Sequence, residues 1–214
     1  MQSNIIYTAI GDSLTVGVGA YLSTGFVKRY EKLIYQKLQA PVITRVFAKP
    51  RIHSSQLLQM FSNPELQRSI QQSNIITISI GGNDLLKANR KYKKSKDPKI
   101  FEEAENIFYH NVRQMLFEIQ YLKEYDYSRP YIIQLIGLYN PFPKISYSDY
   151  WVNRFNHVLY SFTGNNIYFT DIHYLFKHYN KRVLPIGIHP NGNGYQIVAN
   201  ELAKTLEYYP HHTK

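Results

Sequence analysis

Short apolar segments alternate along the chain with longer segments of helical periodicity. Two of the apolar segments, Ile75–Ile80 and Tyr131–Ile136, are apolar at most positions, as strands buried on both faces of a sheet are. The alternation is typical of a parallel β-sheet whose strands are joined by helices. The predicted strands are Ile5–Ile10, Ile43–Phe47, Ile75–Ile80, Tyr131–Ile136 and Ile167–Thr170.

The intervening segments carry apolar residues at helical spacing, and one of them is interrupted by Pro64. The predicted helices are Phe26–Leu38, Ser55–Gln72 with a break at Pro64, Ile100–Glu124, Tyr147–Phe162 and Gly194–Glu207. Strands and helices in this order predict an α/β protein, a three-layer α/β/α fold with a five-stranded parallel sheet and right-handed crossovers. No repeat or linker interrupts the pattern, so residues 1–214 are expected to form one domain.

The composition excludes several classes of protein. Cysteine is absent, which rules out disulfides, thiolate nucleophiles and cysteine-based metal centres. No apolar run approaches the roughly 18 residues of a membrane span, and the first residues have no signal-peptide pattern. We therefore expect a chain that is neither exported nor membrane-spanning, and a cytoplasmic location.

Positive charge is concentrated in one segment of the sequence. The formal net charge is +10, and seven of the 25 basic residues lie in "KANRKYKKSKDPK", residues 87–99. We predict that this run is a solvated loop, with attraction of an anionic surface or substrate as the alternative. The 20 tyrosines have no repeated spacing that would build a base-stacking platform, and no nucleic-acid partner is expected.

The segment "AIGDSLTVGVGA" after the first strand is rich in glycine. Its glycines, Gly11, Gly17 and Gly19, have the spacing of neither a Rossmann fingerprint nor a P-loop, and the P-loop lysine is missing. The segment therefore does not match either phosphate-binding motif. The serine in this turn, Ser13, needs another explanation.

Three polar residues lie where ligands bind in a parallel sheet, beyond the carboxyl ends of the strands. Ser13 follows the first strand, Asn83 follows the third, and His189 precedes the last helix. Taken singly, each could be an ordinary cap or turn residue. Together they supply a nucleophile, a base and an oxyanion donor, which are the parts of an acyl-transfer site.

Three motifs carry a resemblance to a known family. "GDSL" near the start, "GGND" in mid-chain and "HPN" before the last helix resemble the first, third and fifth blocks of the GDSL/SGNH hydrolases. These esterases, lipases and thioesterases have a flavodoxin-like sheet, which the resemblance implies here. The length and the opening "AIGDSLTVGVGA…GFV" resemble the bacillus-type spore-germination lipase branch, which makes spore association an alternative to a purely cytoplasmic location.

The resemblance implies a role for each matched residue. Ser13 would be the nucleophile and His189 the general base. The oxyanion hole would comprise the backbone N–H of Ser13 and the side-chain amide of Asn83. The family has a glycine in its second block whose N–H is a further donor, and Arg51 takes that place in "VFAKPRIHSSQLL".

The fifth block departs from the family pattern D-x-x-H, because Ile186 stands three residues before His189. A carboxylate there would orient the imidazole and stabilise its charged form. Three explanations stay open. A main-chain carbonyl near Ile186 orients the histidine, a remote acid such as Asp171, Asp84 or Asp12 does so, or activity is weakened.

The predicted function is a serine carboxylic-ester hydrolase that acts on an acyl ester or lipid through an acyl-enzyme. The alternatives are a binding or spore-coat protein that has lost activity and a carbohydrate O-deacetylase. We expect the aromatic loop 138–151 to line an acyl-binding groove. No cofactor is expected, and the spacing of His173 and His178 and the terminal pair His211 and His212 do not favour a metal site. His53, in the second-block loop, is predicted to face solvent.

Overall fold

A computed structural model describes residues 4–20, 23–124, 130–185 and 187–209. Within them the strands form one five-stranded parallel sheet in the order β2-β1-β3-β4-β5. The strands are β1 Ile5–Gly11, β2 Val42–Ala48, β3 Ile75–Ser79, β4 Ile132–Ile136 and β5 Ile167–Thr170. All five predicted strands are present, and the strand order is that of a flavodoxin-like sheet.

Helices cover both faces of the sheet. They are α1 Ser13–Val16, α2 Phe26–Leu38, α3 Ser54–Gln59, α4 Pro64–Gln72, α5 Gly82–Ser95, α6 Lys99–Lys123, α7 Ser148–Tyr160, α8 His173–Tyr179 and α9 Gly192–Lys204. A 3₁₀ turn, Met60–Ser62, separates α3 from α4, and α4 begins at Pro64. The break predicted at Pro64 is therefore confirmed, since proline is well tolerated at the first position of a helix.

Two apolar cores lie on opposite faces of the sheet. Side chains of β4 point alternately into one core and the other. Ile132 and Ile136 pack with α2, α8 and α9. Ile133 and Leu135 pack with α4, α6 and α7. This division follows from the alternation of side chains along a strand. The predicted three-layer α/β/α architecture is confirmed.

The prediction of a loop at residues 87–99 is wrong. Helix α5 continues to Ser95, and α6 begins at Lys99. Ala88 is buried, Tyr92 packs between the rings of Phe101 and Tyr147, and the basic side chains of the run are exposed. The apolar side chains of Ala88 and Tyr92 therefore pack α5 against the protein, and its basic side chains remain in solvent.

Of the described residues, none belongs to a helix that is both long enough and apolar enough to span a bilayer.

Candidate active site

Ser13 and His189 are separated by 176 positions in the sequence and meet at the carboxyl edge of the sheet. The distance from Oγ of Ser13 to Nε2 of His189 is 3.0 Å. Ser13 is the first residue of α1, directly after β1, and His189 lies in the loop that leads to α9. The pair therefore has the geometry of a hydroxyl whose proton can pass to an imidazole.

Asp12 holds the turn that presents Ser13. Its carboxylate caps α1 by accepting a hydrogen bond from the N–H of Leu14 at 3.0 Å, and it accepts a second from the hydroxyl of Ser79 at 2.9 Å. Its own N–H donates to the carbonyl of Ser79. Burial raises the pKa of Asp12 to about 6, against the lowering effect of these hydrogen bonds. The turn is thus joined to β3 through both backbone and side chain.

The loop that carries His189 is fixed at several points. The phenol of Tyr139 donates to the carbonyl of Ile188 at 2.6 Å. Asn191, which caps α9, donates its backbone N–H to the carbonyl of Val183 at 2.9 Å. These contacts tie the histidine loop to the end of β4 and to the segment after α8.

Gly19 allows the two ends of the chain to approach each other. Its φ is +92°, and a Cβ at this position would lie 2.9 Å from Cβ of His189 and 2.8 Å from the carbonyl oxygen of Pro190. A side chain at position 19 would therefore displace the histidine loop.

The pKa of His189 is lowered by partial burial of the imidazole and, to a smaller extent, by the positive charge of Arg51. Both effects disfavour the imidazolium form. His189 is consequently neutral at neutral pH, and Nε2 is able to accept a proton from Ser13.

The three remote acids considered from the sequence are bonded elsewhere. Asp171 accepts from the N–H of His173 at the start of α8. Asp84 accepts from the N–H and hydroxyl of Ser54, and Asp12 is engaged as described above. Within the described residues no hydrogen bond is made to Nδ1 of His189, and Ile186 lies outside those residues.

Asn83 lines the same cleft as Ser13. Its Nδ2 donates one hydrogen bond to the carbonyl of Ile52 at 2.9 Å, which leaves the second N–H of the amide for another acceptor. Asp84, the next residue, binds the N–H of Ser54 at 2.9 Å. Asn83 and Asp84 thus hold the loop that contains Ile52 and Ser54 against the start of α5.

Arg51 has the backbone conformation of a glycine. Its φ is +66°, in the left-handed region that residues with a Cβ rarely adopt. Its N–H donates to no backbone carbonyl in the parts of the chain that the structure describes. The N–H of Ser13, at the first position of α1, is likewise one of those that a helix leaves without an internal partner.

An apolar cleft opens beside Ser13 and His189. It has about 910 Å³ of empty space, part of which is open to solvent. Its apolar walls are formed by Leu14, Leu85, Leu86, Phe101, Leu138, Phe142, Ile145, Trp151 and Val152. Loop 138–151 supplies much of this wall and, as expected, lines the cleft that contains Ser13.

A family model of GDSL-like lipases and acylhydrolases matches residues 9–197. The chain belongs to this family. The matched range includes the GDSL turn, the GGND segment and the HPN loop, and the structure brings Ser13, Asn83 and His189 to one cleft.

Relatives of the GDSL family include named lipases. The spore germination lipase LipC of Bacillus licheniformis is 38% identical over 199 residues, which cover 92% of this chain and 93% of LipC. The crystal structure of the lipase Lip_vut3 from a goat rumen metagenome is 37% identical, with a TM-score of 0.89, over 94% of this chain and 96% of that one. An acetylxylan esterase, Axe2 of Geobacillus stearothermophilus, shares the fold at 18% identity and a TM-score of 0.66.

Two histidines outside the GDSL motifs, His53 and His173, have structural partners. Nδ1 of His53 lies 2.8 Å from Oε1 of Gln56 at the start of α3, and Nδ1 of His173 lies 3.1 Å from Oδ1 of Asn153. Among the described residues no group of three histidine or acidic side chains is placed to hold a metal ion. His211 and His212 lie outside those residues.

Sequence reasoning missed the residues that hold the GDSL site together. Tyr139, Ser79 and Ser54 each contact a motif residue or its neighbour through a hydroxyl group. Their hydroxyls act across the fold, and no spacing in the sequence marks such contacts. The sequence did point to one residue that holds the site together, the buried Asp12, because it belongs to the GDSL motif itself.

Proposed function

We propose that this GDSL-family chain is a serine carboxylic-ester hydrolase that forms an acyl-enzyme on Ser13, with His189 as the general base. The observation that carries the proposal is the 3.0 Å contact between Oγ of Ser13 and Nε2 of His189 at the wall of an apolar cleft. The lowered pKa of His189 supports this role, since a base must be neutral before it accepts a proton.

The first half of the proposed reaction forms the acyl-enzyme. Oγ of Ser13 attacks the ester carbonyl carbon while its proton passes to Nε2 of His189. The tetrahedral intermediate then breaks its bond to the alcohol oxygen, which leaves with the proton from His189. In the second half, water loses a proton to His189 and attacks the acyl carbon, and Ser13 departs as a hydroxyl.

Three N–H groups are proposed to bind the oxyanion: the backbone groups of Ser13 and Arg51 and the free N–H of the Asn83 amide. Loss of one such donor typically costs about 2.7–4 kcal/mol of transition-state stabilisation. Asn83 is held in place by its bond to Ile52, so the donor is positioned before substrate arrives. The positive φ of Arg51 supports its assignment to the place of the family glycine.

The lining of the cleft favours an ester with a longer acyl chain over an acetylated sugar. Phe101, Ile145 and Trp151 offer apolar surface well beyond the size of an acetyl group. The lipase names of LipC and Lip_vut3 support the same substrate class. The germination role in the name of LipC supports spore association for this chain.

Labelling with a fluorophosphonate probe tests the mechanism. The probe should form an adduct on Ser13, located by peptide mass spectrometry, and short p-nitrophenyl esters should be hydrolysed. Ser13→Ala should abolish both while changing the free energy of unfolding by less than about 1 kcal/mol. Turnover that persists in a folded Ser13→Ala protein would refute the proposal, and a wild-type protein without label or turnover would favour the binding or spore-coat alternative.

A further inference from the structure

The basic run forms an ordered surface on α5. Asn83, Lys87, Arg90 and Lys94 are spaced by four, three and four residues, so they form one row along the helix. The neighbouring row, Gly82, Leu86 and Asn89, lines the cleft. With a rise of 1.5 Å per residue, the basic row extends about 16 Å from the proposed oxyanion donor. We call Lys87, Arg90, Lys91, Lys93 and Lys94 the basic face.

The side chains of the basic face are exposed, and none forms an ion pair within the part of the chain that the structure describes. Asp97 is the acid within residues 87–99, and its carboxylate accepts from the N–H of Lys99. Exposed Glu102 and Glu103 follow in the first turns of α6. The positive charge of the basic face therefore exceeds the nearby negative charge.

An apolar rim accompanies this charge. Phe142, which lines the cleft, is 37% exposed, and Lys144 beside it is exposed on the same loop. An exposed aromatic ring at the opening of an apolar cleft, with cations on the adjoining helix, suits a surface that has anionic headgroups above acyl chains.

We propose that the basic face docks this chain on bilayers rich in anionic phospholipid and brings the opening of the cleft to acyl esters held there. The role proposed for docking, which is to bring the cleft to acyl esters in the bilayer, rests on the proposed hydrolase function. The binding itself does not, because it depends on charges outside the catalytic pair.

The aromatic contacts favour a bilayer over a nucleic acid. Tyr92, the aromatic residue within the run, packs against Phe101 and Tyr147 at centroid distances of 5.3 and 5.0 Å. Tyr92 is half-buried in this aromatic cluster and Nζ of Lys96 lies 5.9 Å from its ring centroid, so the ring is not an open platform for bases. The exposed ring of Phe142 adjoins an acyl-sized cleft instead.

Vesicle binding by a catalytically silent protein tests the proposal. In the Ser13→Ala background, sedimentation with phosphatidylglycerol vesicles should show binding, and phosphatidylcholine vesicles should show little. The triple variant Lys87→Glu, Arg90→Glu, Lys94→Glu should partition at least roughly a hundredfold more weakly, since loss of each basic residue near an anionic surface removes about a fivefold factor and each glutamate adds repulsion. Circular dichroism would establish that the variant is folded.

A matched control separates local charge from net charge. Lys32→Glu, Arg68→Glu, Arg113→Glu changes the same number of exposed helical cations, at positions that do not line the cleft. It should keep most of the binding. Equal loss in the two triple variants, or no binding to phosphatidylglycerol, would overturn the proposal. Binding of single-stranded RNA through the basic face without binding of vesicles would overturn it as well.

A second measurement uses the active protein. The rate on a long-chain ester embedded in phosphatidylglycerol vesicles, divided by the rate on a soluble short ester, should fall in the basic-face variant and stay constant in the control. If the wild type hydrolyses neither ester while the vesicle results hold, docking stands and the hydrolase proposal fails. If both esters are hydrolysed and the ratio does not change, docking fails alone.

Discussion

The phenol of Tyr139 donates a 2.6 Å hydrogen bond to the carbonyl oxygen of Ile188, the residue before His189. Tyr139 follows β4, and its ring stacks on Phe176 of α8 with centroids 4.6 Å apart. The position of the histidine loop is therefore set in part by a residue that follows β4 and packs on α8. We regard Tyr139 as a positioning residue for His189.

Tyr139→Phe should lower kcat about tenfold and leave KM for a short ester nearly unchanged. The substitution keeps the stacked ring but frees the Ile188 carbonyl, so the imidazole samples more orientations relative to Ser13. Steady-state kinetics on the two proteins checks this. Loss of one buried hydrogen bond should also cost about 1 kcal/mol of folding stability.

Tyr30→Phe is the matched control. The phenol of Tyr30 donates a 2.7 Å hydrogen bond to Gln134 in the core between α2 and the sheet. Its removal should lower stability to a similar extent without lowering kcat. Equal effects of the two variants on kcat would show that Tyr139 acts through general stability.

The strands and the polar residues at their ends could be predicted because both follow from local rules. Apolar runs marked the buried strands, and parallel connections placed Ser13, Asn83 and His189 at one edge. Helix α5 could not be predicted, because Ala88 and Tyr92 make a narrow apolar stripe among its five cations. The contact of Tyr139 with Ile188 spans 49 residues and leaves no periodic signal.

Arg51→Gly should move the acidic limb of the kcat/KM profile to higher pH. Arg51 lowers the pKa of His189, so removal of its charge raises that pKa and the histidine stays protonated to a higher pH. Glycine keeps the backbone N–H and adopts the positive φ readily. The measurement is kcat/KM for a neutral ester from pH 4 to 8.

Arg51→Lys provides the comparison for this shift, because it retains a positive charge at the same position. Its profile should stay close to that of the wild type. Identical midpoints for the glycine and lysine variants would mean that the guanidinium has no influence on His189.

Asp12→Asn should remove a pH dependence of folding stability. The pKa of Asp12 is about 6 in the folded protein and 3.8 as its ordinary value, so the folded state binds this proton more tightly. The resulting stabilisation is complete below about pH 3.8 and is lost as the pH rises through 6. It amounts to about 3 kcal/mol at 1.36 kcal/mol per pKa unit.

Urea unfolding at several pH values between 3.5 and 7 measures this effect. The free energy of unfolding of the wild type, taken relative to Asp12→Asn, should fall by that amount across the range. The subtraction cancels the titration of groups that the two proteins share. A difference that does not vary with pH would contradict the raised pKa of Asp12.

Ile186 stands where the family pattern D-x-x-H has an acid. Ile186→Asp should raise kcat/KM about ten- to a hundredfold, equivalent to roughly 1.4–2.7 kcal/mol off the barrier. Nδ1 of His189 makes no hydrogen bond with the described residues, and a carboxylate at the family position would accept from Nδ1–H, fix the tautomer and stabilise the imidazolium. Ile186→Asn is the matched control, because its amide oxygen can accept a hydrogen bond from Nδ1–H but carries no charge to stabilise the imidazolium, so its gain should be smaller. The measurement is kcat/KM of all three proteins on one short acyl ester across the histidine titration. An aspartate variant no faster than the wild type would mean that another group, with a main-chain carbonyl near position 186 as the leading candidate, already orients His189.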